Sequence, residues 1–146
     1  MSQNFDLGDE TLWNPSNAVS RMFQRQIEVF EAELELPSGM GPMENDECQI
    51  SPDIFETFVN ALLTQHRKSI HAVWLALSEG FTVTVLVLAE RAAVKVDWAE
   101  HGVAPEGPLQ DVQVCTGAGV STPAEGTAWA AGLREKTREL GRRMPR

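Results

Sequence analysis

The chain has little of what marks a secreted, disulfide-built or membrane-spanning protein. Its 146 residues include only two cysteines, Cys48 and Cys115, and these lack the CxxC spacing of a zinc or redox site. We therefore expect buried free thiols, the alternative being one disulfide. The longest apolar stretch, residues 81–89, is interrupted by Thr82 and Thr84 and falls short of the roughly 20 residues that span a bilayer. We expect no membrane association.

Tyrosine is absent, and arginine outnumbers lysine nine to three, a bias typical of GC-rich bacterial genomes. The N-terminus has neither the positive region nor the apolar core of a secretory signal, so we expect a cytoplasmic protein. With 42% hydrophobic residues, the chain can bury one core but is too short for two ordinary domains. We predict a single domain over residues 1–146.

Positive charge is scarce outside the C-terminus. The net charge is -9, yet residues 133–146 hold six basic and two acidic side chains, so this tail carries +4 and the remaining body -13. Because phosphate binding depends on lysine and arginine, such a body is a poor direct ligand for nucleic acid. A nucleic-acid mimic, whose carboxylates imitate phosphates, is a further alternative.

The first third of the chain predicts an extended segment and a helix. Residues 1–13 are extended, and Gly8 with Asp9 favours a turn between two short arms. A helix follows from 15 to about 35, with Asn14 as its N-cap and Pro15 in its first turn. Its apolar face is formed by Val19, Phe23, Ile27, Phe30 and Leu34.

Two further helices are predicted after an irregular connection at residues 38–50. Ser51 caps the first, whose apolar stripe is formed by Ile54, Phe55, Phe58, Val59, Leu62 and Leu63. Ser69 caps the next, which runs to Ala92. Its apolar face is formed by Ile70, Trp74, Leu77, Phe81, Val85 and Leu88. We favour a helix throughout, although the β-branched residues after Gly80 are also typical of a strand.

The C-terminal part predicts a ribbon, a loop and a basic helix. Residues 94–98 and 112–114 alternate like short strands on either side of a Pro/Gly-rich loop, so that 99–121 is a loop region with one short strand. Thr122 and Glu125 form a capping box for a basic helix over residues 122–146. The predicted fold is mainly α: a compact bundle of about four helices with a small β hairpin or ribbon.

We find no recognisable catalytic, metal or nucleotide motif. His66 and His71 lie five residues apart, about 140° around a helix, and do not form a chelating pair. The acidic connection lacks the alternating order of a calcium loop, which favours a solvated loop. Residues 117–119 favour a turn over a phosphate-binding loop. We expect no metal, no cofactor and no catalytic residue.

The first helix carries its charges against its own dipole. Arg21 and Arg25 lie toward the positive end, and four glutamates crowd the negative end. Our hypothesis is that this acidic face meets the basic C-terminal helix; the rivals are a partner protein and a solvated face without a role. The candidate binding residues are Glu28, Glu31, Glu35, Glu44, Asp46, Glu47, Arg134, Arg138 and Arg142.

The sequence resembles a family of small bacterial proteins of unknown function. The likeness is carried by Phe-Asp-Leu-Gly-Asp-Glu-Thr-Leu-Trp-Asn-Pro-Ser, residues 5–16, and Gly-Pro-Met-Glu-Asn-Asp-Glu-Cys-Gln-Ile, residues 41–50, and extends over most of the chain. It implies a standalone protein of about this length and assigns no activity or functional residue.

The leading functional prediction is a non-enzymatic interaction protein of an accessory, regulatory or immunity type, which binds another protein through its acidic surface. Self-association is left open. The alternative is a small enzyme or small-molecule binder with an aromatic pocket between helices. The pocket candidates are Trp13, Trp74, Trp98 and His71, with Trp129 as a further tryptophan.

Overall fold

Four helices and a three-stranded sheet make up the described part of the protein, a computed structural model that covers residues 1–98 and 123–146. The predicted fold class, mainly α with a small β element, is confirmed. In chain order the elements are β1 (Asn4–Leu7), β2 (Glu10–Trp13), α1 (Asn17–Leu34), β3 (Glu47–Gln49), α2 (Pro52–Lys68), α3 (Ala72–Arg91) and α4 (Pro123–Gly141).

The predicted N-terminal hairpin is confirmed, and it extends into a third strand. β1 and β2 pair antiparallel about Gly8, whose φ of +60° is the left-handed conformation that a tight turn requires. β3 then pairs parallel with β1, giving the order β2-β1-β3. We had expected an irregular connection at 38–50. The strand could not be predicted, because three residues are too few to show a periodic pattern. Only the central residue of β3, Cys48, is buried.

The first helix begins two residues later than predicted. Its N-cap is Ser16, not Asn14. The backbone N–H of Asn14 instead donates to the carbonyl of Pro145, at 3.1 Å, and its side-chain amide donates to Asn4. Asn14 therefore ties the N- and C-terminal ends of the chain together, a role that depends on a contact over 131 positions and leaves no local signal.

The third helix is continuous through residues 81–88, as we favoured. Nearly every side chain from Phe81 to Ala89 is buried, so packing outweighs the low helix propensity of its β-branched residues. Thr82 bonds its hydroxyl to the carbonyl of Ser78, at 2.9 Å, within the helix. The predicted cap at Ser69 is wrong: α3 is capped by His71, whose Nδ1 accepts the N–H of Trp74 at 3.2 Å.

By length and composition alone, α3 is also apolar enough to cross a membrane, the one such helix among the described residues. Half of the apolar window is buried within the protein, and core helices of soluble proteins pass the same test. The finding therefore describes how apolar this helix is and carries no assignment to a membrane.

Phe81 of α3 is the centre of the core. Its ring stacks on Phe30 with centroids 4.2 Å apart and lies 5.5 Å from Phe23 and 6.5 Å from Phe58. The predicted apolar faces are thus confirmed where they meet this ring. They are wrong at four positions that are substantially exposed, namely Val19 (49%), Ile54 (43%), Ile70 (39%) and Leu77 (76%).

Residues 94–98 do not form the predicted strand. Two of their backbone N–H groups bond to side chains of α2: Lys95 to Glu56, at 3.1 Å, and Asp97 to Asn60, at 2.9 Å. These two donors are therefore not available for pairing with a second strand. The partner strand predicted at 112–114 and the capping residue predicted at 122 lie outside the described residues.

Arg91, at the end of α3, joins three parts of the chain. Its guanidinium donates to the carbonyl of Leu12 in β2 and to the carbonyls of Gly141 and Met144, at 2.9 and 2.8 Å, at the C-terminal end of α4. The positive charge of Arg91 also interacts favourably with the negative, C-terminal end of the α4 dipole. One side chain therefore holds the hairpin and the C-terminal helix on α3.

We predict that Arg91→Met lowers the free energy of unfolding by about 2–4 kcal/mol, because several charge-assisted hydrogen bonds are lost while the apolar stem is kept. Urea denaturation followed by circular dichroism measures this. Arg138→Met is the control, since within residues 1–98 and 123–146 Arg138 pairs only with exposed Glu135 on its own helix, and its loss should cost at most about 0.5 kcal/mol. Equal effects of the two variants would contradict the bridging role.

Candidate functional site

An open apolar groove lies between α1 and α4, with α3 below it. It has a volume of about 350 Å³. One wall is formed by Val19, Met22 and Gln26 of α1, and the opposite wall by Leu140 and Arg143 of α4 with the following Met144 and Pro145. Thr84 of α3 lies between the walls, and Trp13 and Pro15 close one end. Trp13, one of the predicted pocket residues, therefore lines this groove.

Beyond the groove, α3 carries further exposed positions on the side where Thr84 lies. Leu77 lies seven residues before Thr84, which places both on one side of the helix, and Val73 lies one further turn away. Leu77 is 76% exposed and Val73 55% exposed. Gly80 lies between them and Thr84, and a Cβ atom at this position would have no neighbouring element of the described chain within 4 Å. The N-terminal half of α3 thus presents an uncovered apolar stripe.

The sequence did not predict the groove, because several of its residues fall on periodic apolar faces that are typical of buried residues. Val19 and Leu77 fall on the periodic faces that predicted burial, and Val73 and Met22 are not part of those faces. A signal was present in α3, whose apolar residues continue around the whole helix and exceed what one buried face needs. Only the positions of α1 and α4 decide which of these residues stay uncovered.

A second cluster surrounds His66 near the C-terminal end of α2. His66 is 95% buried, and its ring lies 5.8 Å from that of Trp129 and 6.3 Å from that of Trp74. Trp98 lies 6.3 Å from Trp129. The cluster brings together two of the predicted pocket residues, Trp74 and Trp98, with Trp129. His71 caps α3 instead, and Trp13 lies in the groove.

A hydrogen bond sets the tautomer of His66, and burial favours its neutral form. Its Nδ1 accepts the indole N–H of Trp129, at 3.1 Å, so the neutral ring carries its proton on Nε2. Nε2 is buried and has no hydrogen-bond partner in the described part of the protein. Burial is the main cause that lowers the pKa of His66 below its usual value near 6.5.

Two guanidinium groups flank the same aromatic rings. Arg67 lies over the ring of Trp129, at 5.6 Å, and Arg134 over that of Trp98, at 5.3 Å. Each distance is within the range of a cation–π contact. Arg134, a candidate binding residue, therefore belongs to the aromatic cluster.

The predicted acidic residues do not come together as one site. Glu31 accepts the N–H of Ser38, at 2.7 Å, and its hydroxyl, at 2.6 Å, which fixes the chain after α1. Glu28 is exposed on α1, and Glu35 ends that helix in a left-handed conformation with φ of 53°.

The acidic connection forms a tight turn. Glu44 and Glu47 exchange two backbone hydrogen bonds of 2.9 Å around Asn45 and Asp46, both with positive φ. All four side chains are exposed, and Asp46 accepts a bond from Gln3 at 3.2 Å. Within the described ranges, no group of three histidine, cysteine, aspartate or glutamate side chains is placed to hold a metal ion.

The basic helix packs along α3 and does not meet the acidic end of α1. Lys136 pairs with Glu79 of α3, and Arg138 with Glu135 of its own helix, while Arg142 is exposed. Among the described residues, no ion pair joins α4 to the glutamates of α1. The two helices flank the groove through their apolar residues instead.

Cys48 is a buried free thiol, as predicted. Burial, and then the nearby Asp6, raise its pKa to about 11, so the thiol stays protonated and is a poor nucleophile. Cys115 lies outside the described residues.

We predict that the protein loses stability as the pH falls below about 6.5, because the unfolded chain then binds a proton at His66 that the folded chain excludes. Stability from this group is complete above pH 6.5 and is lost as the pH falls toward the lowered pKa. Melting temperatures of the wild type and His66→Gln between about pH 5 and pH 8 measure it. The variant should show a flatter dependence; parallel curves would contradict this role of His66.

Comparison with known proteins places the chain in a family without assigning a role. No curated protein and no solved structure matches it. One family model covers the whole chain, residues 1–146, and confirms the resemblance to an uncharacterised family. The chain belongs to DUF6086, a family of unknown function.

Proposed function

We propose that this protein acts by binding another protein and catalyses no reaction, and that the groove between α1 and α4 receives an amphipathic helix of that partner. The observation that carries the proposal is the exposed apolar stripe on α3, where Leu77 is 76% exposed on the same side of the helix as Thr84, which lines the groove. A large apolar patch that water alone covers is costly, and such patches mark interaction sites.

The shape of the groove supports a helix as the occupant. Val73, Leu77, Gly80 and Thr84 follow each other by four, three and four residues, the spacing with which one helix meets another. This row is about 17 Å long, enough for three turns of a partner helix. Gly80 lies at its centre, where the absence of a side chain allows a close approach.

Charge supports a basic partner. The chain carries a net charge of -9, so a partner protein that is basic overall would be attracted over a distance, while the docked helix itself meets Arg143 of the basic C-terminal segment at the groove wall. Such a role suits an accessory, regulatory or immunity-type protein. Association should then slow as salt is added, because the attraction is screened.

A second candidate function is supported by the cluster around His66. A buried imidazole donor without an acceptor is costly, and three tryptophan rings beside it could hold a planar ligand that provides this acceptor. We rank it second, because two of the rings already pack against neighbouring guanidinium groups.

To test the groove, a photoreactive phenylalanine analogue is placed at position 77 of the full chain in cells of the source organism. We expect a crosslink to one protein of a different mass, and none from position 54, where Ile54 is 43% exposed on α2 away from the groove. Excess wild-type protein should suppress the crosslink, and excess Leu77→Glu should not.

The captured partner is then titrated against purified protein by calorimetry. Leu77→Glu should weaken binding by about thirtyfold, typical of a central apolar contact, with an unchanged melting temperature because the position is exposed. Ile54→Glu is the matched control and should bind normally. No crosslink at position 77, or equal crosslinks at both positions, would exclude the groove as a docking site.

A further inference from the structure

The charges of α1 are arranged against its own dipole and are not compensated within the described chain. Its first turn holds no acidic residue and its last turn no basic residue. Arg21 and Arg25 lie in the first half, and Glu28 and Glu33 in the second, all four exposed. None of them forms an ion pair in the described part of the protein. This arrangement costs a few tenths of a kcal/mol per charge unless something outside the chain offsets it.

The outer face of α1 carries a regular stripe. Its positions follow each other by four, three, four and three residues, which is the seam of a pair of packed helices, and they are Ala18, Met22, Arg25, Val29 and Ala32. Met22 is 64% exposed and Val29 57% exposed. The small side chains near each end allow another helix to come close. This face points away from the buried residues of α1, such as Phe23 and Ile27.

The charges beside this stripe select the direction of a facing copy of the same helix. If two copies of α1 lie antiparallel, Arg21 of each faces Glu28 of the other; the two-fold axis then passes beside Arg25, so the two Arg25 stems lie on the seam while their guanidinium groups extend away from each other into solvent. If they lie parallel, like charges face each other. The antiparallel arrangement also places each acidic end beside the positive end of the other helix.

We propose that a second copy of this chain packs on the outer face of α1, with the two α1 helices antiparallel across a two-fold axis. The contact is self-complementary, as a two-fold interface requires: each Arg21–Glu28 pair occurs twice. Because α1 is only 18 residues and about 27 Å long, the contact lies at the small end of stable interfaces. The dimer should therefore be weak and should dissociate on dilution.

Sedimentation velocity of the full chain tests this from about 1 to 200 µM at low salt, a range suited to a weak interface. We expect a monomer–dimer equilibrium in the wild type. Arg21→Glu should weaken dimerisation by about tenfold, because two attractive pairs become repulsive. Glu28→Arg should weaken it similarly. The double variant, Arg21→Glu with Glu28→Arg, should restore the wild-type constant, since the pairs re-form with their charges exchanged.

A mixture of the two single variants provides the sharpest result. One chain is then acidic at both positions and the other basic, so the mixed dimer should form more strongly than either variant alone. A wild type that stays monomeric throughout, or a double variant as weak as the single ones, would overturn the proposal. Unchanged circular dichroism and melting temperature show that all variants fold, as expected at exposed positions.

Met22 borders both the stripe and the groove, so the variant that separates this inference from the proposed function is Leu77→Glu, because Leu77 lies on α3 outside the stripe. This variant should dimerise like the wild type even where it no longer binds a partner. Loss of dimerisation in Leu77→Glu would place the self-contact in the groove and overturn the α1 interface.

Discussion

Arg91 is the residue on which the arrangement of this protein depends. α3 passes through the centre of the molecule, and the guanidinium at its C-terminal end binds the carbonyl of Leu12 on one side and those of Gly141 and Met144 on the other. The residues next to these carbonyls, Trp13 and Pro145, line the groove. The bonds of one side chain therefore set the position of α4 and the hairpin, and with them the width of the candidate binding site.

α3 is divided into two halves with different surroundings. From Phe81 onward it is enclosed by the rings of α1 and α2 and by α4, and even Thr82 is buried. Before Phe81, Val73 and Leu77 remain in contact with water. A chain that needed only a stable core would gain by placing polar residues there. Exposed apolar residues at these positions lower the solubility of the free protein, and a bound partner would remove this cost by covering them.

Much of the fold could be predicted from the sequence, because caps, turns and hydrophobic periods are local. The hairpin about Gly8 and the helix after Pro52 follow from residues within a few positions of each other. The strand β3 and the cap at Ser16 could not be predicted in this way. Each depends on backbone groups distant in sequence: β1 pairs with β3, and Asn14 binds Pro145.

The candidate sites were predicted less well than the fold. Aromatic residues were identified as pocket candidates, but they separate into the groove at Trp13 and the His66 cluster at Trp74 and Trp98. The unusual charge order of α1 was visible in the sequence, whereas the exposure of Met22 and Val29 beside it was not.

The sequence by itself therefore determined which segments are helical and which side of each helix is apolar, since both depend on neighbouring residues. Only the tertiary structure decided which apolar residues are covered. Leu77 and Phe81 belong to the same periodic series, yet one is exposed and the other is the centre of the core. The reason is physical: burial depends on how many other elements pack against a face, and that number is not a property of the face itself.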